Sequence, residues 1–510
     1  MSEPKNNHHE NVPASEETPS VVSPPARLRI WPALLIVAAY AITLGITLYL
    51  PTIIGNAIGV VGLPFLSTIL LALWWLTLSR APWRDRLIGL VVFAAIAGWI
   101  VVTQPKEKWQ ILLIALPVMN IGAVLVLAAT TRSAWPAQRV KALLFLIACA
   151  ILFPMFRIED IASNLAPILT WRWSATSEEL LEQSMVASNP GGKADVPAQA
   201  GPLDWPGFRG PGRDGIVRGV AIATNWNEKP PKELWRRRVG LGFSSFVAVG
   251  NYIFTQEQRK QDEIVVCYRA DNGEEVWVNA TKARFDNSTG SGPRATLTFD
   301  NGKIYAQGAK GLLQCLDAST GAVVWKTDVA ADTGAKLPQW GFASSPLVTD
   351  KLVIVFTGGA GNKAVIAYDK VAGTKTWCGG AGTNGYSSAH LARIDGTPQV
   401  VVLSDFGVQS LEPETGAVLW QNEWQTSMNT RVVQPTVVDG RAVLVGTAEG
   451  KGTRSLLIAR SDAGWTAQEK WTTREFRPYF NDYVLYRGYC YGFDGNMLAC
   501  IDANSAQAGA

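Results

Sequence analysis

Histidine is scarce in this chain, which has three in 510 residues. His8 and His9 stand in a polar N-terminal stretch, where two adjacent histidines are predicted to be incidental, and His390 is predicted to be a surface or packing residue. The six cysteines include no adjacent pair. The residues alone therefore predict no catalytic side chain and no metal site.

Net charge is also small. The 46 basic and 42 acidic side chains leave a formal net charge of +4, which over this length does not favour nucleic acid as a partner. Charged residues make up 17% of the chain and apolar residues 48%. The chain is thus too apolar for a typical soluble protein and too long for one ordinary domain.

Acidic residues are almost missing from residues 31–156, which are crowded with Leu, Ile, Val, Ala and Trp. This region contains apolar runs at about residues 31–50, 53–78, 87–103, 110–130 and 142–156. Each run is near the ~20 residues that an α-helix needs to cross a bilayer. The runs have no polar face, which excludes a soluble helical core. We predict a transmembrane helical domain of about five spans, whose partner is the lipid bilayer.

Basic residues mark alternate breaks between these runs. They are Arg27 and Arg29 before the first run, Arg80, Arg84 and Arg86 in the second break, and Arg132, Arg139 and Lys141 in the fourth. The first break is uncharged, and the third carries Lys106 and Lys108 offset by Glu107. The positive-inside rule then predicts a multi-pass protein of the bacterial inner membrane, with a cytoplasmic N-terminus and a periplasmic chain after residue 156.

Two polar stretches flank the predicted membrane domain. Residues 1–30 are rich in Pro, Ser, Glu and Asn and lack the apolar content of a core, which predicts a disordered cytoplasmic tail. Residues 157–203 are predicted to be a linker. Within it, the helical stretch Ser177 to Met185 either lies on the bilayer surface or is exposed to water.

Residues 204–510 contain a repeat that ends in tryptophan. The repeat stretches are LDASTGAVVW, YRADNGEEVW, YDKVAGTKTW and LEPETGAVLW, which end at Trp325, Trp277, Trp377 and Trp420. A weaker copy ends at Trp471, and ELW ends at Trp235 with no strand and turn before it. The tryptophans are 42, 48, 52, 43 and 51 residues apart, a period typical of units with about four strands.

Each repeat also begins with a strand, a polar turn and a strand, as in FSSFVAVGNYIFTQ at residues 243–256. With the strand before the turn and the strand that ends in Trp, this predicts four antiparallel strands, which form one blade of a β-propeller. The last repeat, from residue 477, has no strand that ends in Trp. We predict about six blades, with either Trp235 completing the last blade or a small gap left there.

The repeated residues are predicted to be structural. Asp317 and Gly321 are predicted to form the turn between the third and fourth strands, since Asp accepts hydrogen bonds from backbone N–H groups and Gly adopts a positive φ. The same role is predicted for Asp271 with Gly273, for Asp369 with Gly373, and for Gly416. The tryptophans are large enough to lie between neighbouring blades, where the indole N–H can find a carbonyl.

The pattern A-x-D-x-x-T-G-x-x-x-W resembles the pyrroloquinoline-quinone (PQQ) repeat of quinoprotein dehydrogenases and of the propeller lipoprotein of the outer-membrane barrel-assembly machinery. The stretch DWPGFRGPGRDGIV at residues 204–217 is similar to the opening segment of bacterial PQQ-binding-like β-propeller repeat proteins. The resemblance covers about residues 204–502 and implies an all-β propeller. Relatives usually have seven or eight blades, so six blades would make this propeller incomplete. It does not decide between a catalyst and a scaffold.

The membrane-bound glucose dehydrogenases of the quinoprotein type have a similar layout. This likeness implies an alternative function, a PQQ-dependent dehydrogenase that oxidises an alcohol or sugar and passes electrons to membrane quinone. Such chemistry implies a carboxylate base, a Ca²⁺ site and basic residues for PQQ, and in many cases a vicinal Cys–Cys disulfide. Here Cys267, Cys315 and Cys500 occupy equivalent strand positions, which favours packing roles.

The glycine-rich stretch FRGPGRDG has two interpretations. Arg209, Arg213 and Asp214 could offer charges to an anionic ligand, or the stretch is a tight loop that fixes the linker to the propeller, with Trp205 and Phe208 as plugs. We favour the loop. The preferred function is a membrane-anchored periplasmic propeller that acts as a non-catalytic binding or scaffold module for a protein partner. No cofactor is expected, and PQQ with Ca²⁺ belongs to the alternative alone.

Overall fold

The computed structural model describes residues 28–49, 57–104, 108–161, 167–185, 192–287, 289–425, 431–447, 450–495 and 497–507. Most of the predicted tail, residues 1–27, lies outside them. The chain divides into two compact units, one of apolar helices that ends at Arg157 and one, mostly of β-sheet, that starts at Ile158. A helical region followed by a β-propeller was predicted from the sequence, and this order is confirmed.

The described part of the first unit consists of apolar helices. They are α1 Trp31–Tyr49, α2 Leu63–Thr77, α3 Trp83–Val102, α4 Leu112–Ala129 and α5 Trp135–Leu152. A π-helical turn, Ala57–Gly62, precedes α2, and the 3₁₀ turns Lys108–Ile111 and Phe153–Met155 flank α4 and α5. Four stretches are long and apolar enough to cross a membrane, Gly59–Thr77, Trp83–Val102, Trp109–Ala129 and Trp135–Met155, whereas α1 is shorter, Trp31–Thr47.

Two helices begin earlier than predicted. The helix α3 begins at Trp83 and not near residue 87, and α5 begins at Trp135 and not near residue 142. Of the charged residues assigned to the breaks, Arg84 and Arg86 lie in the first turn of α3, and Arg139 and Lys141 lie in the second turn of α5. Asp85, also in the first turn of α3, pairs with Arg139 at 3.3 Å. A helix end at a membrane surface can hold such residues, because their charged groups reach water.

The stretch predicted to be a linker is partly regular structure. Strands β1 Phe156–Ile161 and β2 Pro167–Trp171 pair with each other, and α6 Ser177–Met185 begins with a capping box. In this box, Thr176 N–H donates to Glu179 at 2.7 Å, and Glu179 N–H donates to the Thr176 hydroxyl at 3.1 Å. Further on, Ala194 is fully buried against the first propeller sheets. Within the part of the linker described after residue 191, Ala194 and Val196 thus pack on the propeller.

Residues 247–502 form antiparallel sheets whose strands neighbour one another in chain order; we number these sheets as blades one to six. Blades one to three consist of β3 Val247–Val249, β4 Tyr252–Arg259, β5 Asp262–Arg269 and β6 Glu275–Lys282; β7 Thr298–Asp300, β8 Lys303–Gln307, β9 Leu312–Asp317 and β10 Val323–Asp328; and β11 Leu347–Val348, β12 Leu352–Gly359, β13 Lys363–Asp369 and β14 Lys375–Gly379. A short helix, α7 Val329–Thr333, follows β10. Blades four to six consist of β15 His390–Ile394, β16 Thr397–Ser404, β17 Gly407–Leu411 and β18 Val418–Glu423; β19 Thr436–Val438, β20 Ala442–Thr447, β21 Gly452–Ser461 and β22 Gly464–Thr473; and β23 Val484–Tyr486, β24 Tyr489–Asp494 and β25 Met497–Asp502.

The second and third strands of most blades are buried on both faces. Every residue of β12 and of β20 is buried, and these strands are rich in Val, Leu and Ile. Clusters of buried apolar side chains join each of the first five blades to the next blade. Packing of sheet against sheet thus stabilises strands that lack a polar face.

The repeated tryptophans lie between blades and bond to the turn of the next blade. The indole N–H of Trp325, in blade two, donates to the carbonyl of Lys370 in blade three at 3.0 Å. The other bonds of this kind run from Trp277 to Ala318, from Trp377 to Pro413 and from Trp471 to Asn504, each at 3.0 Å. Each bond satisfies a polar group inside an apolar contact.

The turn of blade two shows why glycine precedes the fourth strand. Asp317 accepts hydrogen bonds from the backbone of Ser319 and Thr320 at 3.2 and 3.1 Å. Gly321 has a φ of +71°, and a Cβ atom there would lie 2.5 Å from the ring of Trp277. Glycine is required for both the backbone conformation and the approach of the indole. The same contact joins Gly273, Gly373 and Gly416 to Trp235, Trp325 and Trp377, and Asp369 binds its own turn in the same way.

Two repeat residues depart from this arrangement. Asp271 does not hold the place of Asp317, because the residue four positions before the turn glycine of blade one is Arg269; Asp271 pairs with that guanidinium at 2.8 Å. Trp420 donates to the side chain of Gln399 in its own blade at 2.7 Å. The reason is that β21 and β22 of blade five form a tight hairpin in place of the usual turn.

Blade six has three strands among the described residues. Its last strand, β25, pairs with β24 on one side only. On β24, the side chains of Tyr489, Tyr491 and Phe493 point away from blade five and are 38%, 42% and 48% exposed. One face of blade six is therefore apolar and open to solvent.

Residues 235–237 contact blade one as a fourth strand contacts the blade that follows it. Trp235 donates to the carbonyl of Ala270 at 2.9 Å, and Arg237 donates to the carbonyl of Gly273 at 3.1 Å. In blade one itself, Trp277 and the residue two positions later bind Ala318 and Gly321 of blade two in the same manner. The chain at Trp235 thus contacts blade one as a fourth strand would, but these described residues form no ladder with β25.

Candidate functional site

The innermost strands of all blades begin at the same end of the propeller, which we call the first-strand face. It also carries the turns between second and third strands and the segments that follow the fourth strands, because antiparallel strands alternate in direction. Loops on a rigid scaffold are where binding residues concentrate. The side chains at this face are therefore the candidates for function.

A belt of hydrogen bonds joins successive blades at the first-strand face. The backbone N–H of Thr296 donates to the hydroxyl of Ser345 at 3.0 Å, and the N–H of Ser345 donates to the hydroxyl of Ser388 at 2.9 Å. The remaining links run from Ser245 to Thr296, from the Ser387 hydroxyl to the Val433 carbonyl, and from Gln434 N–H to Asp482, at 3.4, 2.9 and 2.7 Å. Each link is donated by one blade and accepted by the next. The sequence signal is a Ser, Thr, Gln or Asp just before each innermost strand, which the sequence analysis did not use.

Residues 205–218, which we call the axial segment, run along the innermost strands. Trp205 and Ala248 of β3 exchange two backbone hydrogen bonds of 2.8 and 2.9 Å, and the carbonyl of Pro206 accepts from Phe299 of β7 at 2.7 Å. Two arginines extend the contacts to blades three, five and six. Innermost strands surround the axis of a propeller, so a segment that touches blades around the ring lies on that axis.

Arg213 is partly buried among acceptors from two blades. Its guanidinium donates to the carbonyls of Ser345 and Pro346 at 3.3 and 3.2 Å and to the side-chain oxygen of Gln434 at 3.3 Å. Gln434 donates in return to the Arg213 carbonyl at 2.8 Å. Burial, and then repulsion by Arg209, lower the pKa of Arg213 to about 10. The side chain therefore stays charged at neutral pH.

Arg209 connects the axial segment to blade six. Its guanidinium lies 3.4 Å from the carboxylate of Asp482 and donates to the carbonyl of Tyr483 at 2.6 Å. Burial raises the pKa of Asp482, while Arg209 and the hydrogen bond from Gln434 lower it. The pair thus places the carboxylate of Asp482 at the inner edge of the last blade, where the positive charge of Arg209 balances it.

His390, predicted to be a surface or packing residue, lies half-buried beside the axial segment. Its Nδ1 atom is 3.4 Å from the side-chain nitrogen of Gln434. Burial, followed by repulsion from Arg213 and Arg209, lowers the pKa of His390 to about 4. The imidazole is therefore neutral at pH 7 and acts as a packing group between cations.

The geometry favours the loop interpretation of FRGPGRDG. The cationic groups of Arg209 and Arg213 donate to protein carbonyls and to Asp482. Both arginines also have left-handed backbone conformations, with φ of +61° and +50°. These conformations are unfavourable for residues other than glycine. Contacts of both side chains with the innermost strands stabilise this strained loop.

The described residues do not fit a site for PQQ with Ca²⁺. On the axial side the carboxylates are Asp214, which pairs with Arg218 at 2.5 Å, and Asp482, which pairs with Arg209. Within the described ranges, no group of three or more His, Cys, Asp or Glu side chains could hold a metal ion. The axial arginines, which could have bound the carboxylates of the quinone, already donate to protein groups.

The cysteines of the propeller are packing residues where the repeat predicts them. Cys267 and Cys315 are buried and lie opposite Trp277 and Trp325 in their ladders. Burial raises the pKa of Cys315 to about 11. All six cysteines are free thiols, and the buried thiol of Cys315 is unreactive because it stays protonated.

An aromatic cluster, formed by Trp340, Tyr386, Tyr479 and Phe480, lies on the first-strand face. The ring of Trp340 is 4.8 Å from that of Tyr386 and 5.8 Å from that of Phe480, and Tyr479 is 4.1 Å from Phe480. These residues come from the segments before blades three, four and six. Phe480 is 62% exposed, and the buried indole N–H of Trp340 has no acceptor among the described residues. The cluster was not predicted, because its members belong to loops with no common sequence pattern.

A cation lies beside this cluster on the same face. The guanidinium of Arg294 lies over the rings of Phe243 and Phe285, 5.2 and 4.9 Å from their centres. It donates to the carbonyls of Gly290 and Gly292. Phe243 is 61% exposed. An exposed aromatic surface with an ordered arginine has the composition of protein-binding hot spots.

Known proteins resemble the propeller part of the chain. The family model described as outer membrane protein assembly factor BamB matches residues 261–505. The curated BamB of Yersinia pestis is 25% identical over an alignment of 237 residues, and the match covers 42% of this chain and 56% of that protein. The chain thus spans about half the length of this relative.

Two solved structures also resemble the chain. The crystal structure of BamB from Moraxella catarrhalis has 16% sequence identity and a TM-score of 0.34, and the match covers 51% of this chain and 83% of that chain. Quinohemoprotein alcohol dehydrogenase ADHIIG from Pseudomonas putida HK5 has 16% identity and a TM-score of 0.36, and the match covers 62% of this chain and 50% of that chain.

Proposed function

Because the chain is a PQQ-like repeat protein, we propose that it is a membrane-anchored scaffold of the cell envelope that binds a protein partner through its first-strand face. The aromatic cluster is the observation that carries this proposal. Exposed aromatic rings supply large contact areas at a low cost in conformational entropy. The BamB relatives, whose name describes an outer membrane protein assembly factor, support a role of the assembly type.

The partner that fits this face is a protein segment with apolar side chains. Phe480 and Phe243, which are 62% and 61% exposed, offer apolar surface to such a segment.

The helical unit is proposed to anchor the propeller in the inner membrane. Four described stretches are apolar and long enough to cross, and α1, Trp31–Tyr49, has 19 residues, within the range of about 17–25 residues that spans a bilayer. Five crossings from a cytoplasmic N-terminus place the propeller in the periplasm. Reporter fusions after Ser79 and Ser133 are expected to be cytoplasmic, and one after Gly201 periplasmic. A cytoplasmic signal at Gly201 would show that one helix does not cross.

Site-directed cross-linking tests the partner proposal. A photoactivatable amino acid at position 480 is expected to give discrete cross-linked protein species in cells. Val371, which is 79% exposed, lies in a turn at the opposite end of the propeller and is the matched control. Trp340→Ala should reduce the cross-links at position 480 about tenfold, since a lost hot-spot residue costs over ~1 kcal/mol. Equal patterns at positions 480 and 371, unchanged by Trp340→Ala, would contradict the proposal.

A second experiment, on the purified full chain, tests the alternative function of a dehydrogenase. If the proposed function is correct, the purified chain mixed with PQQ and Ca²⁺ shows no bound quinone absorbance and no dye reduction with alcohols or sugars. Substrate-dependent dye reduction would establish the dehydrogenase in place of the scaffold.

A further inference from the structure

The helical unit encloses a cavity of about 370 Å³ between α2, α3, α4 and α5. This volume lies in the range of small-molecule binding sites, about 300–1,000 Å³. Its walls are mostly apolar and include Leu71, Phe93, Leu127 and Leu146. Water gains few hydrogen bonds in such a space, so the natural occupant is apolar.

The cavity opens between α3 and α5. Ile88 of α3 and Leu143 of α5 line the cavity and are also 49% and 42% exposed on the outer surface of the helices. Polar groups deeper in the wall are satisfied, since Asn120 donates to the Thr68 hydroxyl at 2.7 Å. If α3 and α5 cross a membrane as proposed above, the opening faces the acyl chains of the bilayer.

One end of the cavity is polar. Asp85 accepts a hydrogen bond from the indole of Trp135 at 2.6 Å and pairs with Arg139 at 3.3 Å. The side chain of Asp85 is 17% exposed, whereas that of Arg139 is 54% exposed. Asp85 thus holds the guanidinium of Arg139 at the mouth of the cavity. Part of the N–H groups of this guanidinium faces outward.

The charge around this mouth is positive. Asp85 is the one acid near the beginnings of α3 and α5, and the basic residues there are Arg80, Arg84, Arg86, Arg132, Arg139 and Lys141. Basic pockets between membrane helices on the cytoplasmic side bind anionic lipid head groups. The aromatic rings of Trp75 and Trp135, 6.3 Å apart, lie at the same level, as expected at the boundary between head groups and acyl chains.

We propose that this cavity binds one anionic phospholipid, with an acyl chain between the helices and the phosphate at Arg139. The proposal rests on the membrane anchoring proposed above and assigns the helical unit a lipid-binding site of its own. A bound acyl chain fills the space between the four helices and stabilises their packing, because an empty apolar cavity forfeits dispersion contacts.

The test measures phospholipid that stays bound to the purified full chain. After exchange into a delipidating detergent, native mass spectrometry is expected to show about one phosphatidylglycerol per chain. Ala123, on α4, lines the cavity, and Ala123→Phe fills it. This variant should retain about tenfold less lipid, since the acyl chain loses its space. Ala95→Phe is the matched control, because Ala95 is exposed on α3 and does not line the cavity.

Arg139→Gln tests the head group without altering the volume. It should weaken retention of phosphatidylglycerol about tenfold relative to phosphatidylcholine, whereas Arg132→Gln should leave the preference unchanged. Glycerophosphoglycerol, which has the head group but no acyl chains, should not displace the bound lipid. Displacement by this compound, or full retention by Ala123→Phe, would overturn the proposal, and so would equal loss in Ala95→Phe.

Membrane extraction separates this proposal from the anchoring on which it rests. If alkaline carbonate releases the chain from membranes, the anchoring fails. If the chain stays in the membrane but carries no phospholipid after purification, the anchoring stands and the lipid site alone is refuted.

Discussion

Blades two and six are built from similar repeats but are stabilised differently. Blade two has four strands, and the ring of its Trp325 lies on the turn of blade three. Blade six ends with β25 at its edge and exposes Tyr489, Tyr491 and Phe493 on one face. Its turn is nevertheless normal, since Asp502 accepts hydrogen bonds from Asn504 and Ser505 at 2.8 Å.

The difference shows that a repeat specifies its own sheet, whereas the blade that follows it completes the packing. Blade two receives that contact from blade three, the next part of the chain. The described residues after β25 form no further strand, and the residues that contact blade one as a fourth strand would are Trp235 and Arg237, from before the first blade. Blade six depends instead on the axial segment, through Arg209 and Asp482.

Removal of a tryptophan that lies between two blades tests this comparison most strongly. Trp325→Ala should lower the free energy of unfolding by about 3–5 kcal/mol, because it leaves a large cavity between two blades. Trp235→Ala should cost less, about 1–3 kcal/mol, since no strand ladder surrounds Trp235. Urea unfolding of the full chain in detergent, followed by fluorescence, measures both. Equal losses would show that blade six is closed as firmly as blade two.

Removal of Arg209 should weaken blade six in particular. Arg209→Met leaves Asp482 without its cation, which should cost about 2–3 kcal/mol near pH 7.5, less than for a fully buried pair because the side chains are 10% and 18% exposed. Hydrogen exchange should accelerate in β23–β25 more than in β11–β13. Arg218→Met, at an exposed pair, is the control. A uniform increase over all blades would contradict the special role of Arg209.

The stability of the Arg209→Met variant is also expected to depend on pH. Burial raises the pKa of Asp482, and the loss of Arg209 raises it further. The folded variant then binds this proton more tightly than the unfolded chain, so the contribution of Asp482 to its stability is largest at low pH and is lost as pH rises through the folded pKa. The deficit of Arg209→Met relative to the wild type should therefore be smaller at pH 5 than at pH 7.5.

Two glycine substitutions separate backbone strain from contact with tryptophan. Gly321 and Gly302 have φ of +71° and +70°, but a Cβ atom at Gly302 would have no neighbour within 4 Å. Gly302→Ala therefore costs only the strain of the left-handed backbone. Gly321→Ala should cost about 1–3 kcal/mol more, because its methyl group meets the ring of Trp277. Equal shifts in the urea midpoint would argue against a tight inter-blade contact.

The smallest effect on stability is expected from a cross-link that completes blade six. In blade two, Thr327 lies opposite Leu313, which by repeat equivalence places Arg237 opposite Leu498. The double variant Arg237→Cys with Leu498→Cys should form a disulfide on oxidation if residues 235–239 act as the fourth strand. Val371→Cys with Leu498→Cys should not. A lack of cross-linking in the first pair would mean that the edge of β25 stays open.

The blades could be predicted from the sequence because their information is local. Strand, turn and tryptophan recur within about 50 residues, and each turn is specified by residues as close as Asp317 and Gly321. Asp271 and Trp420 show the limit of this reasoning. In blade one, a similar sequence does not place Asp271 at the position that Asp317 holds in blade two. Blade five lacks the turn on which Trp420 would pack.

The axial segment and the aromatic cluster could not be predicted in the same way. Arg213 contacts Gln434, which is 221 residues away, and Trp340 contacts Phe480. Neither pair belongs to the repeated positions, so periodicity carries no information about them. The sequence could indicate that FRGPGRDG is a tight loop, but the acceptors of its arginines become visible only when the blades form a ring.

The belt at the first-strand face gives the assembly of the propeller a direction. Thr296, in blade two, needs the hydroxyl of Ser345, and Ser345 needs that of Ser388. Each of blades one to five is thus left with an unsatisfied donor until its successor has formed. A chain that emerges from its N-terminus first supplies these acceptors in the order in which they are needed. A fault in one blade therefore leaves the preceding blade incomplete, whereas the following blade keeps its own acceptors.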